Sequence, residues 1–291
     1  LSWHGSYAEY VKAKKALFRC MKPDAPRIID ATTDETHNII TSLAKSGCRS
    51  IAIGSLSGLE EDMPTPADAR EMAFLRGDNS LLTIVLDGIE YALVAAAELQ
   101  IRGEHNQLNA LAASAAALLI GVSIEDLREG LRSFVPLEHR IEPCGVVAGR
   151  EFFNDSKATN PEATIKALSA FTDQSVVLLL GGRDKGTDLS ELVAACEGKC
   201  RAVICYGEAQ ERFSDAFRAN SQRDGQSTFS LIAVDSFAQA FSIACTIARP
   251  GDVVLLSPAC ASFDEFTSFE HRGEVFKSLV RELGSSDGQG Q

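Results

Sequence analysis

The chain lacks any apolar run approaching the roughly 20 residues that cross a bilayer, so a membrane-spanning helix is excluded. It also lacks a basic block. Its 28 Lys and Arg against 40 Asp and Glu leave a formal charge of −12. Phosphate backbones need clustered cations, so no nucleic-acid partner is expected, although a few local cations can still hold a small anion. The eight cysteines form no Cys-x-x-Cys pair, and Cys196 and Cys200, four apart, have no histidine cluster beside them. They read as reduced, mostly buried thiols of a cytoplasmic protein rather than zinc ligands. No Gly-x-x-x-x-Gly-Lys-Ser/Thr loop and no Gly-x-Gly-x-x-Gly string occurs, which argues against a Rossmann-type dehydrogenase. The opening Leu1-Ser2-Trp3-His4 has no basic or apolar leader region and no initiator Met, so the chain is expected to begin part-way through a larger protein.

What is present is a soluble globular composition: 291 residues, 45% hydrophobic, mean hydropathy near zero, enough for two ordinary domains. Residues 7–18 have the period of an amphipathic helix. A β-α-β unit follows: strand 27–29, helix 35–46 and strand 50–53. Residues 55–71 read as a loop. Leu81–Leu86 and Tyr91–Val94 flank Asp87-Gly88, a hairpin signature. A helix from about Gln107 to Leu119 and another over 123–133 bring that half to Pro136. From 146 the texture becomes regular. Strands are expected at 146–153, 175–180, 201–205, 230–234 and 252–256, and helices at 161–171, 188–196, 208–219, 236–248 and 270–284. Such alternation predicts a parallel, doubly wound sheet, whose ligands bind beyond the carboxyl ends of the strands. The tail 285–291 reads as disordered.

Polar or glycine-rich strings sit at those ends. Asn154 to Pro161 follows an apolar strand and opens a helix, with Asn160 suited to the N-cap and Pro161 to the first helical position. Helix starts attract anions through their free N–H groups and dipole. Gly181-Gly182-Arg183-Asp184-Lys185-Gly186 combines close backbone approach with a cation, though strand-to-helix turns collect glycines anyway. Ser257 to Asp264 includes Cys260, whose neighbourhood holds no histidine, so packing is preferred to nucleophilic attack. Ser262 suits a cap or a carboxylate ligand. At the domain junction, Arg140 of Glu138-His139-Arg140 suits a phosphate, or simply pairs with Glu138 or Glu142. Asn106 in Gly103 to Asn109 reads as an N-cap, and the two amides at a helix mouth also suit a nucleotide. Lys14, with Tyr10 and Phe18 four residues to either side, lies near the apolar face of its helix as a half-buried, snorkelling lysine.

Taken together these strings resemble the Mur ligases, and the Ser257-Pro258-Ala259-Cys260-Ala261-Ser262 string with Phe266 and Phe269 favours the D-glutamate-adding branch. The match runs in family order from Leu1-Ser2-Trp3-His4-Gly5-Ser6, Tyr10 and Lys14 to Phe269. The resemblance implies an ATP-dependent amide ligase of cell-wall synthesis, a cytoplasmic monomer using Mg2+. It would join D-glutamate to UDP-N-acetylmuramoyl-L-alanine through an acyl phosphate. It further implies that Lys14 is carbamylated and helps bind magnesium, and that Asn106, Asn109, Arg140 and Asp155 serve the nucleotide. Thr159, Lys185, Ser262 and Phe269 would form the D-glutamate site, Lys157 belongs to the same motif as Thr159, and His139 supports the cleft. The family's uridine-nucleotide domain and its phosphate-binding loop have no counterpart in these residues. The resemblance therefore implies that 1–136 is the remainder of a central P-loop-type ATPase domain. Residues 137–291 would be a Rossmann-like D-glutamate-binding domain, the chain by itself being inactive or a binding module.

Overall fold

The structure is a computed structural model that describes residues 5–22, 24–55, 71–77, 80–224 and 228–287. It divides into two compact units, one formed by residues 1–99 and 107–133, the other by 100–106 and 134–291. Residues 100–106 and 134–136 thus pack with the second unit, although the sequence assigns them to the first. Leu1 to His4, and residues 56–70 of the expected loop, lie outside the described residues.

In the first unit, helix α1 (Tyr7–Cys20) starts at Ser6, whose hydroxyl accepts from the Glu9 N–H. Strand β1 (Arg27–Asp30), helix α2 (Asp34–Lys45) and strand β2 (Ser50–Ser55) form the expected β-α-β unit. Thr33 and Thr36 close a capping box on α2. Strands β3 (Glu71–Arg76), β4 (Leu81–Leu86) and β5 (Ile89–Ala95) extend the sheet in the order β1-β2-β3-β4-β5. The first three run parallel and the last two antiparallel. The hairpin between β4 and β5 turns at Asp87 and Gly88, both at positive φ (49° and 75°), the type I′ geometry that matches strand twist. β3 was not anticipated. Helix α3 (Glu104–Leu119) begins three residues earlier than expected, so Asn106 is inside its first turn and not the N-cap; its amide donates to the Arg102 carbonyl at 2.8 Å. Helix α4 (Ile124–Ser133) docks on β5 through Arg128, which donates to the carbonyls of Leu93 and Ala92.

The second unit holds strands β6 (Glu142–Val147), β7 (Arg150–Asn154), β8 (Val176–Gly181), β9 (Cys200–Tyr206), β10 (Ser230–Ala233) and β11 (Val253–Leu256). Between and after them lie helices α5 (Pro161–Leu168), α6 (Ser190–Cys196), α7 (Gln210–Asp224), α8 (Phe237–Ile247) and α9 (Phe269–Asp287). The sheet order is β10-β9-β8-β11-β7-β6. All neighbours run parallel except β6 and β7. The single strand expected over 146–153 is therefore two antiparallel strands, folded at Ala148 and Gly149 (φ 48° and 74°) into a second type I′ turn, and the sheet is mixed. Of the tail expected to be disordered, 285–287 is corrected, because α9 continues to Asp287, and 288–291 lies outside the described residues.

Side chains on a strand alternate between faces, and β8 shows both faces dry. Val176, Leu178 and Leu180 pack with Leu168, Leu192 and Phe213 from α5, α6 and α7. Val177 and Leu179 pack with Phe241 and Phe276 from α8 and α9. Since α6 follows β8 on one face and α9 follows the adjacent β11 on the other, connections leave the sheet in opposite directions there. In sheets of this kind ligands bind beyond the carboxyl ends of the strands at such a point, here those of β7, β11 and β8. Phe276, fully buried against Phe152 and Phe241 (ring centroids 6.5 and 5.6 Å), anchors α9 on the sheet. Phe276→Ala is expected to lower stability by about 3–5 kcal/mol, read as a fall in the urea midpoint; a loss below about 1 kcal/mol would show that α9 is held by other contacts.

Candidate functional site

The loops after β7, β8 and β11 are tied together by backbone and by one buried side chain. The Arg183 N–H donates to the Ala261 carbonyl (2.7 Å), and the Gly181 N–H to the Pro258 carbonyl (3.0 Å), so the second and third loops lie side by side. Arg272 of α9 donates to the Ser156 hydroxyl (2.9 Å) and to the carbonyls of Ser156, Cys260 and Gly181 (2.9, 3.1 and 3.4 Å). Glycine is needed where these backbones meet. A Cβ on Gly182, at φ 128°, would stand 2.2 Å from the Ala261 carbonyl oxygen.

A second polar cluster sits where the chain enters β6. His139 is 5% exposed, and the Asn154 amide donates both to its Nδ1 and to the Glu142 carboxylate, each at 2.9 Å. Glu142 also accepts from the His139 N–H. His139 and Ile141 both adopt left-handed backbone (φ 63° and 47°), strained geometry that turns the exposed Arg140 outward between them. The His139 ring meets Phe269 edge-on at 5.9 Å, and the Lys157 ammonium lies 3.8 Å above the same phenyl ring. The close packing of His139 on α9 depends on Gly273, where a Cβ would stand 2.2 Å from Nδ1. Gly273→Ala, normally favourable in a helix by roughly 1 kcal/mol, is expected instead to destabilise by about 1–3 kcal/mol in urea titration. A stabilised variant would contradict this packing.

Asp155 is 7% exposed and accepts from the Ile141 N–H (3.2 Å) and from the Ser257 hydroxyl (2.7 Å). Thr164, fully buried on α5, donates to the Ser257 carbonyl and completes the lock between the first and third loops. Burial, opposed by these hydrogen bonds and by Arg140, pushes the Asp155 carboxyl from 3.8 up to about 7. A folded-state value above the unfolded one means that the unfolded chain ionises first as pH rises. Stability is therefore lost between about pH 4 and 7 and is level above that window. Relative to wild type, Asp155→Asn should gain on the order of 2–4 kcal/mol between pH 4.5 and 7.5, seen as a melting-temperature difference that grows with pH. A difference independent of pH would refute it.

Ser262 is 1% exposed and its hydroxyl is buried without a hydrogen-bond partner. Lys185 is exposed two residues beyond Arg183, Thr159 is half-buried, and Phe269 is half-buried at the start of α9. Cys260 is buried, and burial pushes its thiol to about 12, so it carries no thiolate near neutrality. In the first unit Asn109 is exposed. Lys14 is exposed rather than half-buried, its ammonium 5.4 Å from the Tyr10 ring centroid. As a cation, Lys14 ligates a metal only after gaining a carboxylate. Glu138, His139 and Glu274 bring ligand atoms within 4.8 Å of one another. The Lys277 ammonium, 3.3 Å from Glu138 and 2.7 Å from Glu274, already supplies the positive charge there. Sequence reasoning missed Arg272 and Gly273. Arg272 had one signal: it shares a helical stripe with Phe269 and Phe276, where an apolar residue is expected.

Two family descriptions match the chain. Residues 1–117 match the Mur ligase middle domain, and residues 139–260 the Mur ligase glutamate ligase domain. The chain belongs to the Mur ligase family. Among curated relatives, the UDP-N-acetylmuramoylalanine--D-glutamate ligase of Acidobacterium capsulatum is 36% identical over 280 residues, covering 96% of this chain and 56% of that protein. The enzyme of the same name from Aquifex aeolicus is 34% identical over 283 residues (96% and 59%), and that from Alkaliphilus metalliredigens 40% over 210 residues (72% and 44%). The chain thus spans about half the length of the relatives it matches. Among solved structures, MurF from Acinetobacter baumannii has a TM-score of 0.64 at 18% identity, covering 96% of this chain and 56% of that one. A murein peptide ligase from Psychrobacter arcticus gives 0.56 at 19% (96% and 55%). At these identities the likeness concerns the fold, an α/β architecture with mixed sheets.

Proposed function

We propose that this chain is the ATP-binding and D-glutamate-binding part of a ligase that adds D-glutamate to UDP-N-acetylmuramoyl-L-alanine in peptidoglycan synthesis. The enzyme would be a cytoplasmic monomer. The observation that carries the reading is the Ser262 hydroxyl, buried without a partner beside the loop that bears Lys185. An unsatisfied buried hydroxyl costs about 1–3 kcal/mol, and a carboxylate delivered by a ligand removes that cost. D-glutamate has two carboxylates, so Ser262 and Lys185 would each receive one, with Thr159 and the Phe269 ring as walls. Lys157, held over Phe269, adds a second cation. The names of the relatives support this acceptor over other amino acids.

ATP with Mg2+ would supply the phosphoryl group that activates the muramoyl-alanine carboxylate. On the protein side, Arg140 would face phosphate oxygens, and Asn106, Asn109 and Asp155 would serve the nucleoside. Lys14 would take part in metal binding once carbamylated. His139, fixed by Asn154 and Glu142, would keep Arg140 oriented through the strained turn. The acyl phosphate must be protected from water, and rigid loop tips that position the amine favour aminolysis over hydrolysis.

No phosphate-binding loop occurs among the 291 residues, so ligand binding rather than turnover is the property to test on this chain. Calorimetry with D-glutamate is expected to give saturable heat that L-glutamate does not. Ser262→Ala should raise Kd about tenfold or more, equivalent to about 1.4 kcal/mol. Equal responses to both enantiomers, or no heat with either, would overturn the assignment.

A further inference from the structure

Among the described residues of the second unit, Arg272 is the most deeply buried charged side chain, at 0% exposure. Its partners are the Ser156 hydroxyl and the carbonyls of Ser156, Gly181 and Cys260, all neutral oxygens. Desolvating a guanidinium costs several kcal/mol, and a carboxylate is the usual compensation. No carboxylate pairs with Arg272 among the described residues. A leucine or methionine at this point of the helical stripe would fill the space without that penalty. The arginine therefore answers to a demand other than packing.

Its acceptors show what that demand is. Ser156 lies between Asp155 and Lys157 in the loop after β7. Gly181 opens the turn that carries Lys185. Cys260 lies two residues before Ser262. The Ser156 hydroxyl, while accepting from Arg272 Nε, donates to the Phe269 carbonyl at 2.8 Å, which includes the start of α9 in the same network. One planar group thus ties together the three loops that bear Lys157, Lys185 and Ser262. A lysine ammonium could not replace it. Its donors radiate from a single atom, whereas the guanidinium presents five N–H groups in a fixed plane that reaches oxygens on separate loops.

We infer that Arg272 is a positioning residue for amino-acid binding, holding Lys157, Lys185 and Ser262 in one register through the shape of its guanidinium rather than through its charge. The inference rests on the D-glutamate reading only for the identity of the ligand.

The full 291-residue chain tests it. Arg272→Lys keeps the charge and loses the planar group. It should raise the D-glutamate Kd about tenfold or more. It should also speed hydrogen exchange of the Gly181 and Arg183 amides, which donate across to the third loop, while β9 amides keep their protection. Phe229→Ala serves as the control for general destabilisation, because Phe229 is buried just before β10, at the opposite end of the sheet. At a matched fall in melting temperature it should leave Kd and both loop amides unchanged. Arg272→Lys with wild-type affinity and exchange would overturn the inference, as would an equal loss of affinity in the control. Should Arg272→Lys fail to fold, Ser156→Ala removes the acceptor of Arg272 Nε together with the bond to the Phe269 carbonyl, and should raise Kd about three- to tenfold; wild-type binding and loop exchange in that variant would overturn it equally. Exchange is read without ligand, so a wild-type chain that ignores D-glutamate sinks the functional reading, and the loop amides still decide the role of Arg272.

Discussion

A guanidinium enclosed by protein must find oxygens for its N–H groups, and those of Arg272 are supplied by three different loops. Loops at strand ends are ordinarily the most mobile part of an α/β domain. Here they cannot move independently without leaving a buried cation unsatisfied, which costs more than a single neutral hydrogen bond. The constraint also explains the small residues around it. Gly182 and Gly273 stand where backbone or ring atoms come within 2.2 Å of a hypothetical Cβ, so the close approach would be lost with any side chain.

The rest of the second unit holds that knot in place. Its central strands are dry on both faces, and α9 is bound to the sheet by Phe276 and Val280. Because Arg272 and Gly273 lie on α9, the packing of an apolar helix face sets the position of a polar site above it. The loop after β11 has two further anchors. Asp264 accepts from the Glu208 N–H, and Glu265 accepts from the Phe237 N–H at the start of α8. Such preorganisation would suit the proposed binding of a small dicarboxylate.

Much of this architecture is legible in the residues themselves. The alternation of strands and helices from 161 onward, the Asp87-Gly88 hairpin and the polar strings at strand ends follow from period and turn chemistry. The β6–β7 hairpin escaped because Ala148-Gly149 is a weak signature; alanine seldom adopts positive φ, and the flanking apolar residues read as one continuous strand. Asn106 looked like a cap because its residue type suits one, whereas Gly103 already allows the helix to begin at Glu104. Lys14 looked half-buried because its neighbours at four-residue spacing are aromatic, yet those rings leave it exposed. Arg272 was the hardest to read, since its task arises from contacts 91 and 116 residues away in sequence. Only its place in an apolar stripe hinted at burial.

The most direct measurement is a crystal structure of the chain grown with D-glutamate. Electron density for the amino acid is expected at the carboxyl ends of β7, β8 and β11, one carboxylate accepting from Ser262 Oγ and the other from Lys185 Nζ, with Arg272 still bonded to Ser156 and Cys260. D-glutamate bound elsewhere, or a Ser262 hydroxyl that stays clear of it while the loops rearrange, would contradict this assignment of the site.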